Sequence, residues 1–79
     1  MKNMITLADL KKCQKFVVSR VHLTKEVGKR LIDMGFVKGS EGQVIRRALM
    51  GDPIQVKIYH YDLSLRLTEA RGIEVRMKE

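Results

Sequence analysis

The sequence predicts a small, mainly β domain: about five short strands closed into a barrel, with one short helix across an opening. Three observations predict it. Several short runs alternate apolar and polar residues, the period of a strand with one buried face. A helical period occurs in one stretch, from Thr24 to Met34. Most strand runs follow one another after that stretch, separated by turn residues, so neighbouring strands pair as hairpins and close up to protect their edges.

The elements follow in chain order. Met4, Ile5, Leu7 and Leu10 are mixed with Thr6, Asp9 and lysines. They predict a short extended segment or a single turn whose apolar residues pack on the barrel edge. Lys11, Lys12 and Lys15 surround Cys13 and read as a surface loop. Phe16 to Leu23 is rich in β-branched residues and forms the first long strand. Thr24 is an N-cap whose hydroxyl can accept from a first-turn N–H, and Glu26 suits the positive end of the helix. Val27, Leu31 and Met34 recur at helical spacing and predict the buried stripe; Lys29, Arg30 and Asp33 fall outside it. Gly28 is a poor helix former, which suggests close packing. Gly35 supplies the left-handed residue that commonly ends a helix.

A connection through Phe36 and a turn at Gly39 leads to a strand over Gly42–Leu49. The next turn is Met50-Gly51-Asp52-Pro53. Gly51 tolerates positive φ, Asp52 can bond its own backbone, and Pro53 belongs at a strand entrance. Ile54, Val56 and Ile58 then alternate with Gln55, Lys57 and Tyr59. Tyr61-Asp62 is expected to turn the chain into a partner strand carrying Leu63, Leu65 and Leu67. Thr68 to Gly72 reads as one helical turn, and Ile73, Val75 and Met77 mark a last strand. The architecture is a small barrel of the SH3-like type, with a five-stranded OB-type barrel as its nearest competitor.

Length and charge bound the function. The chain has 79 residues, enough for one domain spanning 1–79 with one small core. One cysteine excludes an internal disulfide and any cysteine-based zinc motif. The N-terminal MKNMITLADLKK holds no apolar run suited to a secretory signal, and no run approaches the ~20 apolar residues that span a bilayer. A cytoplasmic chain is expected, monomeric and without membrane insertion. The excess of 16 Lys+Arg over 9 Asp+Glu gives a net charge of +7. Such an excess suits nucleic acid, an anionic membrane or an acidic protein surface, or only solubility.

Catalytic motifs are missing: no nucleophile-elbow serine, Gly-rich phosphate loop or His-Glu-x-x-His helix is present, and Cys13 has no adjacent histidine. No enzyme and no cofactor are expected. The metal-ligating candidates are His22, His60 and Cys13, with Asp52 and Asp62, but their spacing matches no recognised site.

The order Leu31-Ile32-Asp33-Met34-Gly35-Phe36, Gly39, Val44-Ile45-Arg46-Arg47-Ala48, Gly51-Asp52-Pro53-Ile54, Leu63-Ser64-Leu65-Arg66 and Glu69-Ala70 resembles the FeoA ferrous-iron-transport family. The likeness runs from about Leu7 to Val75. It implies an SH3-like barrel and a small cytosolic accessory to the membrane GTPase, ferrous iron transporter B. The same fold resembles the C-terminal domain of iron-dependent repressors, although no winged-helix domain is expected within these 79 residues. A non-catalytic module docking on the transporter follows, with two candidate surfaces set side by side. One is the turn Met50, Gly51, Asp52 and Pro53; the other is the helix end Met34, Gly35 and Phe36. Arg47 and Arg66 are candidate contacts, since arginine is enriched at interfaces. The alternative is a basic barrel that binds nucleic acid, with Tyr59 and Tyr61 on one strand face as stacking groups.

Overall fold

The computed structural model describes residues 4–48 and 50–78. A 3₁₀ turn, Leu7–Asp9, is followed by β1 (Lys15–Val21), α1 (Lys25–Asp33), β2 (Glu41–Arg47), β3 (Ile54–Ile58), β4 (Tyr61–Leu65), the four-residue α2 (Leu67–Ala70) and β5 (Ile73–Met77). The strands make a five-stranded sheet in the order β4-β3-β2-β1-β5. Every pairing is antiparallel. This is the SH3-like, mainly β architecture expected from the pattern. The expected β2 ran to Leu49, which lies outside the described residues; the ladder ends at Arg47.

Alternation puts Phe16, Val44, Val56 and Ile58 on the inner face of the sheet, all buried. Leu7, Leu10, Leu31, Phe36, Ala70 and Ile73 close the same core from the other elements. Bulges interrupt two ladders, between Val18 and Arg20 and between Val44 and Arg46. A bulge adds bend and twist, as a sheet wrapped round so small a core requires.

Three local expectations are corrected. The β3–β4 turn is Tyr59-His60 rather than Tyr61-Asp62, because Ile58 pairs with Tyr61 and leaves two residues between the strands. Tyr59 takes φ of 53°, costly for a bulky residue. Its ring lies so close over Gly35 that a Cβ there would meet ring carbon at 2.4 Å. Its hydroxyl is 3.2 Å from the buried Ser40 Oγ. These contacts hold the turn.

Thr24 is the residue before α1, but its hydroxyl makes no capping bond; Lys25 enters the helix with φ of 57°. The buried stripe of α1 also differs. Gly28 and Leu31 are buried, whereas Val27 is 38 % exposed. Val27 stands one residue, and so 100°, away from Gly28 around the helix. The helix approaches the chain at Leu23 so closely that a Cβ on Gly28 would lie 2.3 Å from the Leu23 carbonyl oxygen. Backbone contact at Gly28 sets which face turns inward.

Gly28→Ala is therefore expected to lower stability by about 1–3 kcal/mol through overpacking, although alanine favours helix by ~1 kcal/mol. Urea denaturation measures this, and an alanine variant as stable as the parent would show that α1 is free to move off Leu23.

Candidate partner-binding surface

The loop between β2 and β3 is built from its own backbone. Ala48 N donates to Pro53 O at 3.0 Å, and Gly51 N donates to Ala48 O at 2.7 Å. Gly51 has φ of 82°, which its missing side chain permits. Pro53 immediately precedes β3, so it costs the ladder no donor. Met50 stands at the tip with 87 % of its surface exposed. An unbranched, polarizable side chain held out in water suits adaptable apolar contact.

Asp52 does not spend its carboxylate on its own turn. Oδ1 accepts from Leu67 N at 3.0 Å, the first residue of α2. Arg66 N donates to Glu69 Oε1 at 3.0 Å, and the other Glu69 oxygen accepts from Arg30 Nη2 at 2.8 Å. Loop, α2 and α1 are thus joined in one chain of polar contacts. Around them, an open groove of about 380 Å³ is lined by Leu23, Thr24, Val27, Arg66, Thr68 and Glu69. Met50, Asp52, Pro53 and Arg66 are exposed, and Gly51 is half-buried. The structure brings these five together at one end of β3, with Val27 beyond Arg66.

The other predicted surface lies elsewhere. Gly35 packs under Tyr59, which follows β3, whereas Pro53 precedes it. At about 3.3 Å per residue the two sites are roughly 20 Å apart along the strand, so the expectation that they adjoin is overturned. Phe36 is fully buried and belongs to the core. Met34 and Gly35 are half-buried. Arg47 is also corrected. It is paired with Ile54 on the inward side of β2, and its Nη1 donates to Ala8 O at 3.0 Å and Leu10 O at 2.7 Å. Its guanidinium holds the N-terminal segment.

Val27 was missed because its spacing from Leu31 mimics a core stripe. The usable signal was Gly28, whose bare backbone pairs with Leu31 at i, i+3.

The metal candidates remain dispersed. His22 Nε2 is 2.9 Å from Glu74 Oε1. His60 lies in the β3–β4 turn, Asp62 is paired with Lys57, and Cys13 is exposed in its loop. Among the described residues no group of three or more His, Cys, Asp or Glu side chains is placed to hold a metal ion. Tyr59 and Tyr61 do not share a strand face, since Tyr59 belongs to the turn.

The FeoA domain model matches residues 5–77. The chain belongs to the FeoA family. Its relatives include a Porphyromonas gingivalis fusion of Fe(2+) transport protein A with the Fe(2+) transporter FeoB, 35 % identical over 71 residues. The match takes in 90 % of this chain and 8 % of the fusion protein, so the chain corresponds to a small part of that relative. A Campylobacter jejuni putative Fe(2+) transport protein A is 33 % identical, with 92 % of this chain and 99 % of that protein covered. Among solved structures, the zinc-complexed FeoA of Stenotrophomonas maltophilia, described as an SH3 domain protein, superposes with a TM-score of 0.81. It is 30 % identical, and the match covers 91 % of this chain and 89 % of that one.

Replacing Arg47 with methionine is expected to cost about 1–3 kcal/mol, because two part-buried carbonyls lose their donor. Arg66→Ala should change stability by less than about 0.5 kcal/mol. Thermal melts of both variants decide it; equal midpoints would mean that Arg47 is no more tied down than Arg66.

Proposed function

We propose that this FeoA chain is a non-catalytic docking module that binds the cytosolic part of the membrane GTPase importing ferrous iron, and supports its assembly or uptake cycle. The observation that carries this reading is the relative in which the A protein and the transporter FeoB are one polypeptide. Fusing two chains keeps them at high effective concentration, which favours partners whose sites can meet.

The docking surface is the Met50–Pro53 loop with Arg66 and the Val27 groove. Met50 supplies an apolar anchor, Arg66 a planar charged contact, and the Asp52–Leu67, Arg66–Glu69 and Glu69–Arg30 bonds hold the backbone that carries them. Pre-organised groups lose less entropy on association. Docking requires no metal held by this chain; ferrous iron is the transporter's cargo. The module acts in the cytoplasm as a monomer. Among the described residues no helix is long and apolar enough to cross a membrane.

An amide NMR titration of the labelled chain with the transporter's cytosolic domain tests the proposal. Shifts are expected at the amides of Met50–Asp52, Ile54, Arg66 and Val27, with those at the Tyr59 end of the sheet unmoved. Met50→Asp and Arg66→Asp should each abolish docking while the amide spectrum stays dispersed. If both variants bind as the parent does, the surface is wrongly assigned. If only a generic oligonucleotide shifts the spectrum, the partner class is wrong.

A further inference from the structure

The sheet has a second face, and it is basic. Lys57, Gln43 and Lys15 lie side by side across β3, β2 and β1. Lys78 continues the row, its backbone N donating to Lys15 O at 3.1 Å. Their strand neighbours Phe16, Val44, Val56 and Ile58 point into the core, so this row points outward. In the adjoining row Arg46 Nε donates to Gln55 Oε1 at 3.0 Å. Two shallow grooves follow the face. One, of about 270 Å³, is lined by Lys15, Glu41, Gly42, Gln43, Lys57, Tyr59 and Lys78. The other, of about 330 Å³, is lined by Arg46, Gln55 and Ser64 and reaches Ala48 and Pro53 of the docking loop.

Two acids share the face with the three lysines. Glu41 is taken by Lys78 Nζ at 2.9 Å, and Asp62 stands opposite Lys57 in the register. Among the described residues, neither Lys15 nor Lys57 makes a salt bridge. Strands about 4.8 Å apart place their backbones roughly 10 Å from each other.

We propose that this face rests on the anionic headgroups of the bilayer that holds the transporter. Three features select that occupant. Lysine is a flexible point charge and suits mobile headgroups, whereas a fixed carboxylate is better matched by arginine's fork. A nucleic-acid groove uses stacking aromatics, and the aromatic here, Tyr59, is committed to Gly35 and Ser40. The face is also continuous with the docking loop through Pro53, so a chain seated on the transporter can lie against the membrane beside it. The choice of occupant rests on the docking reading.

Co-sedimentation of the full chain with vesicles tests the lipid contact with no transporter present, so it can fail while docking stands. Phosphatidylcholine vesicles with and without phosphatidylserine are compared at low and physiological salt. Binding is expected to the anionic vesicles, weakening with salt. The triple variant Lys15→Glu, Lys57→Glu, Lys78→Glu should lose about a hundredfold or more, since each lysine near an anionic surface contributes about fivefold. A second triple, Lys25→Glu, Lys29→Glu, Lys38→Glu, carries the same net charge and should keep most of the binding. Both variants must retain dispersed amide spectra; if the first unfolds, the single Lys57→Glu replaces it, with a loss of about fivefold or more expected. Equal losses in the two triples, or no binding by the parent to anionic vesicles at low salt, overturns the proposal. So does a single-stranded oligonucleotide that binds this face more tightly than the vesicles at equal salt.

Discussion

The fold depends on how its N-terminal segment is held. Leu7 and Leu10 are buried in the common core, yet they come from a 3₁₀ turn outside the main ladder. Two kinds of contact fix them. Val75 N donates to Ile5 O, and Thr6 bridges to Glu74, which ties the segment to the β5 edge. The Arg47 guanidinium reaches across from β2 to the Ala8 and Leu10 carbonyls. A 79-residue chain buries a modest share of its surface, so two leucines are a sizeable part of the core. Without donors for those carbonyls, seating the leucines would strand polar backbone in a poorly solvated place.

The same economy shapes the candidate docking surface. Its parts come from three distant stretches of chain: the β2–β3 loop, the start of α2 and the outer side of α1. Two acidic side chains join them. Asp52 caps α2 from the loop, and Glu69 links α2 to Arg30 of α1. What is left exposed is apolar at Met50 and Val27 and cationic at Arg66. The opposite end of β3 is used differently. There Tyr59 sits in a left-handed conformation, pinned by Gly35 and Ser40, and its exposed ring edge is part of a turn lock.

Much of the strand pattern was legible. Ile54-Val56-Ile58 and Ile73-Val75 alternate because one face of each strand meets the core, and that alternation needs no tertiary knowledge. Gly51 and Pro53 announced the loop for the same local reason. Helix residues misled where the backbone, rather than a side chain, makes the contact. Val27 has the spacing of a core residue, but the close approach at Gly28 turns it outward. Phe36 looked like a contact beside the helix end, but nothing in its neighbours' identity reveals that the core closes over it.

By itself, then, the sequence determined the class: short alternating strands, one short helix, a glycine–proline loop and the family signature running through them. These are local properties, set by side-chain period and by the φ each residue tolerates. Only the tertiary structure decided which arginine is free. Arg47 and Arg66 are alike in sequence terms, each flanked by apolar residues within two positions. The bulge between Val44 and Arg46 shifts the register, so that Arg47 pairs with the inward Ile54 and comes within reach of two carbonyls. Arg66 follows the last ladder pair and stays in water. A one-residue shift moves a side chain from one face of a sheet to the other, and that shift is fixed by pairing between strands.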